Sequence, residues 1–561
     1  MQARHLRSHD GAGATCRPDR TRRGRTMRLA TAFAGALIGL GTSMALAQQP
    51  VPEIKVLTWP AAKYQHYFET SNYVAEGWRK LGLKVTLDPQ PFPNPMLSKW
   101  FKEHDFDVVM SVLSGSPQRS EPDFFTNAQF NSRNSAPGDS NVGSFSSPKV
   151  DELGSKQLAL YDAQERRKVI HELQRVLADE QPEAVLAYVV NTFAMNTAKV
   201  EIPGYEDTSD GPRSLWNMLR LTSKAGTAVK IGRTIDQGTF NPLAATIVED
   251  FNTLSLVYDK LVELGPDGSP RMWLAQALEV VDPTTVVVKL RQGHSFSDGK
   301  LVTAEDVKFS FDYLKRWDAA YFKKYLEKLA SVEVVDAGTV RFKLTEAYAP
   351  FIINTLGQVL ILPKHVWGDV VEKTGIAKPQ DFRNTPLVGS GPYTLRYWRE
   401  GQEISLQRRA DHFAKPASDL LIVVFGSAEL VGAALKKGDI DVSFQPIVPT
   451  VVKEFAAEKN VKLIQARSNG HMSMRYNTAR PALASKALRQ AMAHAIPYDA
   501  IIEEVLGGDA GRSATPIVPV NAFWHDASIP LPAYDIDKAK AILKAAGYSW
   551  GADGALRAPA K

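Results

Sequence analysis

The sequence predicts an α/β fold, and three observations carry that expectation. Runs rich in β-branched residues alternate with helix-period runs over residues 53–112, in the order strand, helix, strand, helix, strand of an open α/β sheet. The same alternation returns over residues 420–444. With 561 residues at 44% hydrophobic and 23% charged, the chain can bury more than one core.

Taken in order, Glu53 to Trp59 reads as a strand by β-branched content and alternation. Tyr73 to Leu81 reads as a helix, Leu83 to Leu87 as a strand, Pro95 to Glu103 as a helix and Phe106 to Val112 as a nearly continuous apolar strand. Asp162-Ala-Gln-Glu165 has capping-box spacing ahead of a helix with Val169, Ile170, Leu173, Val176 and Leu177 on one face. That helix stops before Pro182, and Val185 to Val190 is a buried strand. Ser214 to Leu221 reads as a final strand and turn, and Thr222 to Thr227 as a small, polar linker. A new strand, Val229 to Gly232, follows.

Further on, Val286 to Arg291 is a strand and Thr303-Ala-Glu-Asp306 caps a helix to Lys315. Val332 to Val335 and Thr339 to Leu344 form a hairpin, and Gly389 to Tyr393 turns into the strand Thr394 to Trp398. Leu420 to Phe425 and Ile440 to Phe444 are strands around the helix Glu429 to Lys437. Asp535 caps a helix that Gly547 ends, since glycine accepts positive φ there. Residues 549–561 read as loop.

Charge excludes one class of partner. Residues 1–47 hold eight arginines against two aspartates, which is the whole net charge of +6. The remainder is neutral, whereas phosphate binding needs clustered basic side chains, so nucleic acid is not expected as a partner. Met27-Arg28, the apolar run Leu29 to Leu46 and Ala45-Leu46-Ala47 before Gln48 fit a cleaved export signal. The run is short of the ~20 strongly apolar residues of a membrane span. The only cysteine, Cys16, precedes the cleavage point, so the mature chain is expected without disulfide, cysteine metal site or lipid anchor. The chain is expected to be an exported periplasmic monomer with no cofactor and no metal.

Several segments together resemble the family 5 extracellular solute-binding proteins, the dipeptide, oligopeptide and nickel receptors of ATP-driven importers. They are Leu256 to Leu264, Leu290 to Gly299 with Thr303 to Phe311, Gly389 to Tyr393, Ala434 to Asp441, Leu488 to Ile496 and Tyr534 to Gly547. Residues 53–221 resemble the final part of the same family through Glu121 to Phe125, Phe145 to Leu153 and Ile202 to Tyr205. The family order would be 228–561 followed by 53–221, so the resemblance implies a circular permutation with old ends joined near 222–228. It further implies a two-lobed periplasmic-binding-protein fold with a hinge: 1–47 as extension and signal peptide, 48–190 and 387–561 as one lobe, and 191–386 as the other.

The resemblance places Ser114, Gly115, Gln118 and Arg119 in a cleft loop. Peptide receptors carry an aspartate for the ligand ammonium where this chain has Gln118, which offers no counter-charge. Arg119 offers a donor fork to a carboxylate or phosphate. Ile247 and Val248 fall in the segment whose backbone pairs with extended ligands. Trp59, Trp398 and Trp524 stand at strand ends or loops facing the expected cleft, and His471 in a strand that reaches it. Each of these also has a bland reading as core or solvated surface.

No nucleophile elbow, zinc-protease, P-loop or complete dinucleotide motif is present. The expectation is therefore a periplasmic receptor that binds a small extended solute and docks on an importer permease. A secreted hydrolase of peptides or glycans, and a partner-binding chaperone or sensor with no small ligand, remain the alternatives.

Overall fold

The structure is a computed structural model that describes residues 48–113, 115 and 119–560. The expected export segment with Cys16, and the expected site residues Ser114 and Gln118, lie outside the described residues.

The first strands are β1 (Ile54–Thr58), β2 (Val85–Pro89), β3 (Val108–Leu113) and the long β4 (Glu183–Asn196). Helix α1 (Ala61–Arg79) begins earlier than its apolar period suggests, because Pro60 sets an extended N-cap directly before it. Helix α2 (Ala163–Glu180) starts where expected, with Asp162 accepting from the Gln164 and Glu165 amides. The run expected as strand and turn is instead a helix, Leu215–Arg220. The Ser214 hydroxyl accepts from the Asn217 amide and starts it.

After the polar turn at 222–228 come β5 (Val229–Arg233) and helix α3 (Val248–Val257). A separate four-stranded antiparallel sheet follows from β6 (Ala275–Asp282), β7 (Thr285–Leu290), β8 (Leu329–Asp336) and β9 (Thr339–Leu344), in the order β6-β7-β9-β8. Helix α4 (Ala304–Arg316) packs on it, with the predicted capping box of Thr303 and Asp306 formed.

The last strands are β10 (Tyr393–Arg399), β11 (Glu403–Arg408), β12 (Leu420–Val424), β13 (Val442–Ser443), β14 (Val461–Arg467) and β15 (His471–Tyr476). They join the earlier strands in one mixed sheet ordered β10-β11-β12-β5-β13-β4-β15-β3-β1-β2, with β14 also on β4. The pairing shows where the sheet divides. β10 to β13 stand with β5, while β15 stands between β3 and β4. The change of side therefore falls between residues 443 and 471, not at 387 as the resemblance suggested, and β4 runs through both halves.

Each half has its own core. One gathers Val229, Ile231, Leu254, Val286, Ile422 and Val442, the other Val56, Trp78, Val108, Leu186, Met474 and Leu543. The second joins residues from 51–187 to residues from 472–556. Full burial of one such aliphatic side chain contributes about 1.5–3 kcal/mol, so neither stretch forms its core without the other.

The stretch 549–561, read as loop, contains a closing element. Ser549–Trp550 pairs with Leu556–Arg557, and Pro50 bridges Arg557. The Val51 amide donates to the Leu556 carbonyl at 2.8 Å and the Ala558 amide to Gln49 at 2.9 Å. No described helix is long and apolar enough to cross a membrane.

Candidate functional site

A pocket with a cavity volume of about 110 Å³ opens between the two halves. Arg213, Trp216, Phe251, Asn252, Lys260 and Glu263 line it from the half that holds β5. Ser120, Asn469, Val520 and Asn521 line it from the half that holds β1. The halves also touch one another directly. Trp524 Nε1 donates to the Gly268 carbonyl at 2.9 Å, and the Phe523 amide donates to Asp267. The Tyr161 hydroxyl donates to the Pro283 carbonyl at 3.0 Å and the Ala349 amide to Leu158 at 2.6 Å.

The ionic groups of the pocket wall are paired with one another. Lys260 Nζ stands 2.8 Å from Glu263 Oε2, and Arg213 stands 3.2 Å from Asp210. Burial pushes the Glu263 carboxyl above its ordinary value, against the pull of the Lys260 ammonium. Among the described residues, the side chains of Asn252, Ser255 and Gln358 make no hydrogen bond and leave donors and acceptors open to a ligand.

A smaller chamber with a cavity volume of about 60 Å³ shares Arg213, Met218, Asn252 and Leu256 with this pocket. It lies at the carboxyl ends of β5 and β13, lined by Arg233, Ile235, Phe444 and Gln445. Carboxyl ends of parallel strands are where open α/β sheets place ligands.

The expected site residues fall in different places. Trp524 is buried at the edge of the cleft, with the Arg166 guanidinium 5.2 Å from its ring. Gly115 packs against the turn that carries Asn469. A Cβ on it would come within 2.1 Å of Asn469 Oδ1, so the loop and the pocket wall touch here. Arg119 lies 5.5 Å from the Phe124 ring, and its charge acts on Lys324 and Tyr325 of the facing half.

Ile247 and Val248 are exposed at the start of α3, next to Glu249 of the smaller chamber. The other three stand among packed side chains. Trp59 is buried against Tyr64, Tyr67 and Phe92, with Nε1 donating to Met110 at 3.1 Å. Trp398 meets Phe240 edge to face at 5.3 Å. His471 is buried on β15, 3.5 Å from Glu183.

Sequence reasoning missed Arg213, Arg233, Lys260, Glu263 and Asn521. Lys260 and Glu263 lay inside a segment read only for its resemblance, with no pattern that marks a cleft. Arg233 carried one signal, a charged residue closing an apolar strand.

Glu183 sits in a buried network with Ser473, Arg475 and His471. Burial opposes its ionisation, but the Arg475 charge and the nearby His471 ring bring it down to about 2. Glu121, against Arg166 and fully buried, is pushed up to about 7 by burial.

Asp259, His294 and His412 bring possible metal-ligating atoms within 4.8 Å of one another, all buried. The hydrogen bonds assign them a different role. His412 Nδ1 accepts from the Ala414 amide at 3.0 Å, so its proton sits on Nε2, which donates to Asp259 Oδ1 at 3.1 Å. His294 Nε2 faces two acceptors, Asp259 Oδ2 at 2.8 Å and the Ser390 carbonyl at 3.0 Å, and is therefore also a donor. Trp273 Nε1 adds a third donor to Asp259 at 2.7 Å. A metal ligand needs the lone pair that these protons occupy. The cluster ties residues 259, 294 and 412 together as a hydrogen-bonded knot.

A family model described as bacterial extracellular solute-binding proteins, family 5 Middle, matches residues 269–561. The chain is 29% identical over 321 residues to the oligopeptide-binding protein AppA of Bacillus subtilis, covering 55% of this chain and 57% of that protein. It is 28% identical over 335 residues to the dipeptide-binding protein of Escherichia coli, covering 56% of this chain and 62% of the other. The chain thus spans less than two thirds of the length of these relatives. Among solved structures, AppA from Bacillus subtilis in complex with a nonapeptide is 26% identical and covers 60% of this chain and 67% of that one, with a TM-score of 0.42. HbpA2 from Haemophilus parasuis is 24% identical and covers 57% of this chain and 67% of that one, with a TM-score of 0.49.

Proposed function

The chain belongs to the family 5 bacterial extracellular solute-binding proteins, and on that premise we propose that it is a receptor for a small extended solute. The solute, peptide-like or another organic molecule, is held in the cleft and handed to the membrane permease of an ATP-driven importer. The observation that carries this reading is a pocket lined from both halves, with open amide and hydroxyl groups and internally paired charges. Closure over a ligand is favoured only by contacts made in the closed state. Two passages of the chain between the halves, β4 and the stretch 443–471, suit a hinge. The names of the relatives, oligopeptide-binding and dipeptide-binding, support a peptide-like solute. The protein binds without making or breaking bonds. Export removes residues 1–47 and leaves an unanchored periplasmic monomer.

The order of segments is permuted in this reading. Residues 49–51 pair with 556–558, as they would if once continuous, and the turn at 222–228 supplies the bridge between the former ends. A bridge of this length adds little loop entropy when the ends already lie close.

Native mass spectrometry of protein beginning at Gln48 tests the reading, before and after denaturation and refolding. A small organic mass that leaves on denaturation and can be added back is expected. Turnover of an added peptide or glycan by the same protein would contradict it.

A further inference from the structure

Five arginines are buried among the described residues: Arg166, Arg233, Arg409, Arg475 and Arg489. Four are compensated. Arg166 meets Glu121, Arg409 meets Asp411 at 2.7 Å, and Arg475 meets Glu183 at 3.0 Å. Arg489 donates to the carbonyls of Glu180, Gln181, Leu483 and Ala484. Arg233 is different. It is 8% exposed, yet no described carboxylate lies within 4.0 Å of it. Its hydrogen bonds are long, 3.3 Å to Thr253 Oγ1 and 3.5 Å to Gln237 Oε1, and its Nε has no partner. A buried charge without a close partner is costly, and this one lines the smaller chamber at the carboxyl end of β5.

We propose that Arg233 anchors a carboxylate of the solute, with the body of the solute continuing into the larger pocket through the shared wall of Arg213 and Asn252. A guanidinium fork matches a carboxylate with two parallel hydrogen bonds. Arg213 adds a second cation to the wall, though it is shared with Asp210. Asp236, Glu249 and Asp250 act on Arg233 at longer range. Asp236 and Asp250 accept backbone amides, from Gly401 and from Gly238 and Thr239, whereas Glu249 lines the chamber itself. These three carboxylates favour a singly charged carboxylate over a doubly charged phosphate. The inference rests on the receptor reading above and extends it to one end of the ligand.

The test compares N-acetyl-trialanine with N-acetyl-trialanine amide by calorimetric titration, on the wild-type protein, R233K and R233M, together with the ligand-free melting temperature of each. The wild type is expected to bind the free acid at least about tenfold more tightly than the amide. R233M brings the two affinities together, R233K keeps part of the difference, and R233M without ligand melts no lower than the wild type. Equal wild-type affinities for acid and amide overturn the role of Arg233 and leave the receptor reading standing. So does an R233M protein that still prefers the acid. A wild type that binds neither form contradicts the peptide-like receptor reading instead. An R233M melting temperature several degrees lower without ligand shows Arg233 to be structural and overturns the anchor independently of any ligand.

Discussion

Trp524 Nε1 donates its hydrogen to the Gly268 carbonyl, 2.9 Å away, and so joins the two halves of the molecule at the edge of the cleft. The bond is buried and is reinforced by the Phe523 amide on Asp267. The expected W524F variant keeps an aromatic ring and loses this donor, at a cost of about 1 kcal/mol. We expect it to lower stability by that order and to raise the radius of gyration in small-angle scattering as the halves part. Unchanged scattering and unchanged stability would rule out a closing role for this contact.

Glu183 sets an acid limit. Its ordinary value of 4.5 falls to about 2 in the folded chain. Its contribution is therefore complete above pH 4.5 and lost as the pH falls toward 2, on the order of 3 kcal/mol in all. Urea unfolding of E183Q is expected to lose most of the slope that the wild type shows in that window. An equal slope in both proteins would assign acid sensitivity elsewhere.

Glu121 acts with the opposite sign. Burial raises it from 4.5 to about 7, so the folded chain holds a proton that the unfolded chain has released. Stability from this group is highest below pH 4.5 and declines as the pH rises toward 7. E121Q should flatten that decline, and an unfolding series between pH 4.5 and 7.5 measures it. A steeper decline in E121Q would contradict the assignment.

These two carboxylates also mark what the sequence could and could not reveal. The capping boxes at Asp162 and Thr303, the hairpin after Val332 and the α/β alternation were legible, because each is a local pattern of period, cap or turn. The helix Leu215–Arg220 was not, because one serine cap outweighed an apolar run. The division of the large sheet was displaced, because strand pairing such as β12 on β5 joins residues far apart in sequence. Of the site, Trp524 was expected in a cleft-facing loop, and its ring is buried where the halves meet. Arg233, Lys260 and Glu263 were not expected, since their isolation or pairing exists only once the halves are assembled.

Asp259 collects three buried N–H donors, from Trp273, His294 and His412. Burial opposes its ionisation, yet the hydrogen bonds from both histidines hold its carboxyl well below the usual range. In D259N the amide faces those donors, at about 1–3 kcal/mol for each group left unsatisfied. A marked drop in melting temperature is expected, with no change on adding zinc or nickel to either protein. A rise with zinc in the wild type alone would make the cluster a metal site after all.

The most direct measurement concerns chain order. A polypeptide running 228–561 and then directly 48–221 tests the proposed joint and keeps the hydrogen bond from the Ala558 amide to Gln49. The account predicts that it folds cooperatively, melts within a few degrees of the natural order and retains the same small molecule in native mass spectrometry. A reordered chain that fails to unfold cooperatively, or that folds without that molecule, would contradict a single receptor fold written in a different order.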